Sequence, residues 1–161
     1  MDSRENLEKA LKLFQEAYHH QMAGDLERAM DLYRQSIHCW PTAEAYTFLG
    51  WTYSFLGRYD DAIEECKKAI AIDPEFGNPY NDIGAYLINL GNLDEAIPWL
   101  EKAIQAGRYE AYHYPHCNLG RVYLAKGMLK KALEEFEKAL AIEPNYPLAR
   151  QAVEAIQQQL Q

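Results

Sequence analysis

The fold is decided by the stretch AEAYTFLGWTYSFLGRYDDAIEECKKAIAIDPEF, residues 43–76. Apolar residues recur at helical spacing over residues 43–56 and again over 59–72, which predicts two short helices. Gly57 lies between them, where a glycine ends a helix because it adopts positive φ without a steric penalty. Pro74 follows the second helix and prevents its continuation. The stretch therefore predicts two helices joined by a tight turn.

The same unit occurs four times along the chain. The turn glycines, separated by 33, 34 and 36 residues, are Gly24, Gly57, Gly91 and Gly127. Small residues keep the same phase, seven positions before each glycine at Ala17, Gly50, Gly84 and Gly120, and five after it at Ala29, Ala62, Ala96 and Ala132. An internal period of this size predicts an array of repeated units. The small residues predict close contact between the two helices of each unit.

Within residues 43–76 the positions that define the unit are Tyr46, Leu49, Gly50, Tyr53, Gly57, Ala62, Ala69 and Pro74. This pattern resembles the motif of the tetratricopeptide repeat (TPR) family. The resemblance covers about residues 10–146 as four units, at about 10–42, 43–76, 77–112 and 113–146. It implies an all-α fold, an α-solenoid in which antiparallel helix pairs stack in a right-handed superhelix. It also implies a concave groove, lined by the first helix of each pair, that holds peptides or partner helices.

The sequence predicts helices at 4–22, 25–39, 43–56, 59–72, 79–90, 93–106, 115–126, 129–142 and 147–160. The last, within residues 147–161, is expected to be a capping helix that covers the fourth unit. Its predicted apolar stripe is Leu148, Val153, Ile156 and Leu160.

Unit three departs from the pattern. Two extra residues follow it in AGRYEAYHYPH, and Arg108 replaces the expected proline. Pro98 lies inside a predicted helix, where it removes one hydrogen bond and is expected to bend the helix near Asp94. We therefore expect a local irregularity between units three and four.

Length and composition limit the classes of function. The 161 residues suit one domain, and the formal net charge of −8 disfavours nucleic acid or an anionic membrane as the partner. No apolar run is long enough to span a membrane, and the N-terminus MDSRENLEK lacks the profile of a secretory signal. The three cysteines, Cys39, Cys66 and Cys117, are widely spaced, which favours free thiols and a cytoplasmic location.

No enzyme motif for nucleotide, nucleophile or zinc chemistry is present, so we expect neither an enzyme nor a cofactor. His113, His116 and Cys117 lie close together in sequence, but this spacing without a second cluster is a weak metal signal. Aromatic and polar packing around the loop is the alternative. Acidic pairs such as Glu64-Glu65 and Glu134-Glu135 lie in second helices, where solvated faces explain them.

The first helix of unit two carries more apolar side chains than its own pair needs. Trp51 and Phe55 lie one turn apart on a second face, which either lines the groove or packs between units. Phe48 is expected to pack between units. Aromatic residues are frequent anchors of protein interfaces, so we expect a protein–protein interaction scaffold with an aromatic groove.

The groove positions of the other units follow by register. They are Phe14, Tyr18 and Met22 in unit one, Asn78, Asn81 and Asn89 in unit three, and Tyr114, Cys117, Asn118 and Arg121 in unit four. Asn78 has an alternative role as a helix cap before Pro79. The surface would pass from aromatic through amide-rich to a single cation, and amides both donate to and accept from a peptide backbone.

Some TPR proteins bind acidic chaperone tails through a carboxylate clamp of lysine, arginine and asparagine side chains. The corresponding positions here hold Phe14, Tyr18, Phe48, Asn78 and Asp82. We therefore expect no clamp, although Arg121 can meet a single carboxylate.

A second surface gives an alternative function. Trp99 occupies a position in the second helix of unit three where units two and four are acidic. It is either an exposed contact for self-association or a cover for the helix that contains Pro98. The alternative is therefore a structural module that forms homo-oligomers through the stack ends or the Trp99 face.

Overall fold

The structure, a computed structural model, describes residues 2–161, and these form an all-α array. The helices are α1 (Ser3–Met22), α2 (Leu26–Cys39), α3 (Ala43–Phe55), α4 (Tyr59–Ile72), α5 (Asn78–Asn89), α6 (Leu93–Gln105), α7 (His113–Ala125), α8 (Leu129–Ile142) and α9 (Pro147–Leu160). Each begins and ends within two residues of its predicted bounds, and the all-α repeat fold is confirmed. None of the described helices combines the length and hydrophobicity that a membrane span requires.

A glycine closes the tight turn inside each helix pair. Gly57 has a φ of +73°, and its N–H donates to the carbonyl oxygen of Ser54 at 3.0 Å. The next N–H, of Arg58, donates to the carbonyl oxygen of Tyr53 at 3.1 Å. These two bonds form a Schellman motif, in which a residue with a side chain is strained at positive φ. The other three turn glycines also have positive φ, so the predicted reason for their period is confirmed.

The two helices of each pair run antiparallel and approach closely at the small residues. A Cβ atom at Gly50 would lie 2.9 Å from the carbonyl oxygen of Ala62 on the partner helix. The side chain of Leu100 fills the space beside Gly84, and that of Phe136 fills the space beside Gly120. One buried apolar cluster extends from α1 to α7, so successive pairs share a continuous core.

The first helices of the pairs lie on the inner face of the array. α1 contacts α3, α3 contacts α5, and α5 contacts α7, whereas each second helix packs mainly on its own first helix and on the one that follows. Helices on the inside of a curved stack are closer together than those outside. The concave surface is therefore built from α1, α3, α5 and α7.

The connection from α6 to α7, residues 106–112, docks on the unit that precedes it. The N–H of Arg108 donates to the carbonyl oxygen of Glu75 at 2.8 Å, and the N–H of Gly77 donates to that of Arg108 at 3.0 Å. These bonds form an isolated parallel β-bridge between Phe76 and Arg108. The irregularity expected between units three and four is thus an ordered loop with its own backbone partners.

The helix α9 covers the last pair with a different stripe from the predicted one. Ala149 and Ile156 are buried and Val153 is half-buried, but Leu148 and Leu160 are 44% and 43% exposed. At about 100° per residue, Leu148 lies well to one side of the line through Ala149 and Ile156. Leu160 lies one turn beyond the buried part of the helix. The prediction was therefore wrong for these two leucines.

The helix α6 continues unbroken through Pro98, which is exposed. Trp99 is half-buried, with its ring centroid 6.2 Å from that of Tyr80. The Nζ atom of Lys102 lies 4.7 Å from the Trp99 ring centroid. The ring of Trp99 thus lies partly against its own chain and partly in solvent, and a contact for self-association at this position stays a prediction.

Candidate binding groove

A pocket of 480 Å³ opens on the inner face, where three first helices come together. Its lining consists of Thr47, Phe48 and Trp51 from α3, Asn78, Asn81 and Asp82 from α5, Tyr114 from α7, and Tyr109 and Ala111 from the loop. Side chains three and four positions apart share one face of a helix, so each helix directs a compact set of residues to this surface. Residues that are far apart in the sequence therefore line the same pocket.

Five aromatic residues of the first two units form one connected series on this face. The ring centroid of Phe48 lies 5.2 Å from that of Phe14, 5.9 Å from that of Tyr18 and 5.7 Å from that of Trp51. The rings of Trp51 and Phe55 are 5.0 Å apart. Edge-to-face packing of this kind holds the side chains in place. A partner would therefore meet aromatic area that loses little conformational freedom on binding.

The structure divides the extra apolar residues of α3 between packing and exposure. Phe48 is half-buried and packs between the first two units, as expected, but it also lines the pocket. Trp51 is half-buried and lines the same pocket. Phe55 is 56% exposed. Trp51 and Phe55 therefore both present surface to solvent. Of the two, only Trp51 lines the pocket.

A chain of hydrogen bonds crosses from α5 to α7. The side-chain amide of Asn118 donates to the amide oxygen of Asn81 at 2.9 Å. Arg121 in turn donates to the amide oxygen of Asn118 at 2.9 Å. Asn81 is buried, while Asn118 and Arg121 are half-buried. The guanidinium group keeps further donors for a ligand, since one of its five N–H groups makes this bond.

Asp82 lies among the aromatic residues of the pocket without a positive partner. Within residues 2–161, no side chain forms a hydrogen bond or an ion pair with its carboxyl group, which is half-buried. Burial raises the pKa of Asp82 from its ordinary value of 3.8 to about 7. The pocket therefore contains an acidic group whose ionised form is poorly solvated.

The loop between α6 and α7 places Tyr109 in the pocket. The ring packs directly on the Cα atom of Gly77, where a Cβ atom would lie 2.5 Å from the tyrosine side chain. The ring of Tyr109 also meets that of Tyr112, with centroids 5.2 Å apart. Gly77 therefore makes room for the ring that closes one side of the pocket.

Arg108 holds the same loop in place with its side chain. Its guanidinium group lies 2.8 Å from a carboxylate oxygen of Asp73 and 3.0 Å from one of Glu44. It also lies 4.1 Å from the ring centroid of Phe76. The hydrogen bond from Arg108 lowers the pKa of Asp73. One side chain thereby links the loop to the first turn of α3 and to the end of α4.

The structure spreads the predicted groove residues over one surface but not over one pocket. Phe14 and Tyr18 line a neighbouring pocket of 530 Å³ that shares Phe48 with the first. Met22 is 60% exposed at the end of α1, and Asn89 is exposed at the end of α5. Neither of these two lines either pocket. Their part in binding stays a prediction, as does that of the other groove residues.

Asn78 has the role of a pocket residue rather than that of a cap. Gly77 occupies the N-cap position of α5, and no side chain bonds to the free N–H groups there. Asn78 is the first helical residue and lines the pocket.

Thr47, Asp82 and Tyr109 line the pocket but are not among the predicted groove residues. The register of the carboxylate clamp was the available signal for Asp82, because this residue occupies one of the basic positions of the clamp. Thr47 directly precedes Phe48, and its hydroxyl donates to the carbonyl oxygen of Ala43 at 2.7 Å. Tyr109 lies in the segment that contains the two extra residues, where the repeat pattern provides no register.

The residues of the weak metal signal make separate contacts. The Nδ1 atom of His116 lies 2.8 Å from a carboxylate oxygen of Glu135. The ring of His113 lies 4.2 Å from that of Tyr114, and Cys117 is buried, which raises the pKa of its thiol to about 11. In the described part of the chain, no group of three or more histidine, cysteine or acidic residues is arranged to hold a metal.

Comparison with known proteins identifies the repeats. Two family models described as "Tetratricopeptide repeat" match residues 43–76 and 76–144, which together exceed half of the chain. Small glutamine-rich tetratricopeptide repeat-containing protein 2 of Mycosarcoma maydis is 32% identical over 104 residues. This match covers 64% of the chain and 30% of the relative, so the chain corresponds to less than a third of that protein.

Two solved structures show the same arrangement of helices. The structure titled for pilF of Pseudomonas aeruginosa superposes with a TM-score of 0.88 at 25% identity, over 94% of this chain and 69% of that one. The first TPR of Spaghetti (RPAP3), solved with the HSP90 peptide SRMEEVD, superposes with a TM-score of 0.67 at 24% identity. That match covers 74% of this chain and 93% of the other, and at this identity it supports the fold alone.

Proposed function

Because the chain belongs to the tetratricopeptide repeat family, we propose that it is a protein-binding scaffold that holds a segment of a partner protein along its inner face. The observation that carries this proposal is the pocket between α3, α5 and α7, with Trp51 in its wall and Phe55 exposed beside it. Half-exposed aromatic residues next to buried ones provide contact area that is already held in position. The role is that of an adaptor rather than an enzyme.

The composition of the groove favours a peptide or helix as its occupant. Apolar area lies at one end, amide groups lie in the middle, and Arg121 lies beyond them. A peptide offers side chains for the first region and backbone groups for the second. The net charge of −8 opposes a polyanionic partner. The free thiols of Cys39, Cys66 and Cys117 fit a reducing compartment such as the cytoplasm.

The test is the loss of binding in the double variant Trp51→Ala and Phe55→Ala. Peptides selected on the intact chain from a random display library serve as the probe, and calorimetry measures their affinity. We expect a loss of more than about 30-fold, because removal of two anchor residues typically costs 2 kcal/mol or more. Circular dichroism should show unchanged helix content, since Phe55 is exposed and Trp51 is half-buried.

The matched control is the pair Ile72→Ala and Ile142→Ala. These isoleucines are 44% and 45% exposed at the ends of the second helices α4 and α8. We expect the control to bind with unchanged affinity. Normal binding by the Trp51 and Phe55 variant, or equal loss in both double variants, would contradict the groove assignment.

The chaperone peptide SRMEEVD tests the absence of a carboxylate clamp. The groove presents Phe14, Tyr18 and Phe48 on its first two helices and Asp82 on the third. This tail carries four carboxylates, on two glutamates, one aspartate and the C-terminus, and it would meet an unpaired acid there rather than a lysine. We expect its affinity to be weaker than that of the selected peptides by a factor of ten or more, and comparable binding would contradict this part of the proposal.

A further inference from the structure

The pocket at Asp82 has a wall of aromatic rings around one carboxyl group. Phe48, Trp51, Tyr109 and Tyr114 supply rings from two helices and the loop. In the described part of the chain the carboxyl group of Asp82 has neither an ion pair nor a hydrogen bond. Asp73 and Glu44, near the same loop, are paired with Arg108, and Glu110 of the loop is exposed to solvent. Asp82 differs from these acids because it is half-buried and has no partner.

Aromatic faces and a carboxylate attract the same kind of ligand. The face of an aromatic ring carries partial negative charge and draws a cation placed above it. A carboxylate in a partly desolvated site adds a charge interaction that is stronger than it would be in water. Both features disfavour an anion. A neutral apolar group would gain contact with the aromatic rings but nothing from the carboxylate.

From this complementarity we propose that the pocket binds a cationic side chain, lysine or arginine, of the partner segment that lies in the groove. The cationic group would form an ion pair with Asp82 and stack against the rings of Trp51 and Tyr109. This inference rests on the proposed function, since it names the side chain that the groove selects. The volume of 480 Å³ accommodates such a side chain together with part of the adjoining backbone.

An organic cation fits the pocket better than a metal ion does. A metal ion needs several oxygen or nitrogen ligands, and only one carboxylate lies here. A guanidinium or ammonium group on an alkyl stem needs fewer hydrogen bonds and gains from aromatic contact. The net charge of −8 would also draw a cationic segment toward the surface over a longer range.

The inference is tested with single amino acids whose charge alone differs. The probes are N-acetyl-arginine amide and N-acetyl-lysine amide, with N-acetyl-citrulline amide as the neutral match for arginine. Each is titrated into ¹⁵N-labelled protein, and the indole N–H signal of Trp51 is followed after its assignment with Trp51→Phe. We expect at least one cationic probe to shift this signal in a saturable way, with an affinity about tenfold or more above that of citrulline.

The variant Asp82→Asn keeps the size of the side chain and removes its charge. We expect it to lose the preference for the cation, so that arginine and citrulline bind equally weakly. The matched control is Asp60→Asn, because Asp60 is an exposed aspartate in the first turn of α4 and its replacement changes the net charge equally. The control should retain the preference. Equal binding of charged and neutral probes to the unmodified protein would overturn the inference, as would an unchanged preference in Asp82→Asn.

The two proposals fail in different ways. Selected peptides can lose affinity with Trp51→Ala and Phe55→Ala and yet carry no basic residue that Asp82 recognises. In that case the groove assignment is supported and the proposed cation pocket is wrong. If the selected peptides bind those variants normally, the groove assignment fails regardless of the amino-acid titrations. A saturable, charge-dependent shift at Trp51 would then still identify the cation pocket.

Discussion

At the scale of single residues, Asp82 combines a cost in stability with a use in recognition. Its carboxyl group lies beside aromatic rings, and burial raises its pKa to about 7. A neutral residue of the same size, such as asparagine, would avoid the cost of a poorly solvated charge. Unfavourable groups without internal partners are a common feature of binding sites, where the ligand supplies the missing contact. The same substitution should therefore strengthen the fold and weaken the site.

The variant Asp82→Asn should be more stable than the natural chain at pH 8 by about 1–2 kcal/mol, a value that allows for partial solvation of the groove. The folded pKa of about 7 lies above the ordinary 3.8, so the folded state holds the proton more tightly than the unfolded state. The contribution of Asp82 to stability is thus most favourable near pH 4 and declines as the pH rises to 7.

The measurement is urea unfolding of both proteins between pH 4 and pH 8. Other groups that face Asp82 do not titrate in this window, because burial raises the pKa of Cys66, Tyr86 and Tyr109 above their ordinary values. The gap between the two proteins should widen from pH 4 through the folded pKa of about 7 and level off near pH 8. A constant gap across the whole range would contradict the shifted pKa, and Asp60→Asn provides the control for net charge.

At the scale of elements, the helices and the loop differ in how far the sequence predicts them. Turn glycines and small residues recur with a fixed period, so their positions determine each helix and turn locally. The loop at residues 106–112 breaks the period, and its shape depends on distant partners such as Glu75 and Gly77. Tyr109 was missed for that reason. The clamp register indicates the position of Asp82, but its aromatic surroundings could not be predicted because they include a ring from this loop.

The capping helix shows a second limit of pattern reading. The apolar residues of α9 lie on more than one face, and the partner surface on α8 decides which of them is buried. Ile156 packs on that surface while Leu148 does not. The helical period of the sequence predicts that one face of the helix is apolar. The neighbouring helix determines which residues of that face are buried.

The docking of the loop predicts an unusual effect of Gly77→Ala. The backbone at Gly77 has a φ of −76°, which alanine adopts without strain, but the added Cβ would overlap the ring of Tyr109. We expect a loss of about 1–3 kcal/mol in the free energy of unfolding as the ring is displaced. We also expect weaker binding of the selected peptides, since the ring closes one side of the pocket.

A double-mutant cycle with Tyr109→Ala supplies the control. Once the ring is absent, the extra methyl group has nothing to displace, so Gly77→Ala should cost much less in that background. Chemical denaturation of the four proteins measures the coupling. An equal cost of Gly77→Ala with and without Tyr109 would show that the ring does not depend on the space beside Gly77.

At the scale of the whole molecule, the stack turns local repetition into one surface. Each pair contributes one helix to the inner face, and side chains from α3, α5 and α7 meet there although they are far apart in sequence. The array as a whole could be predicted from the period, and so could the part of the groove that keeps register. Each unit contributes its own side chains to the inner face, which are aromatic, acidic or amide. These side chains distinguish this surface from those of other repeat arrays.

Chemical-shift mapping of the ¹⁵N-labelled chain with a selected peptide shows whether the partner lies on the inner face. We expect the largest shifts within residues 47–55, 78–82 and 109–121, with little change along α4, α6 and α8. Shifts concentrated on those outer helices or on α9, with the inner residues unmoved, would contradict this expectation.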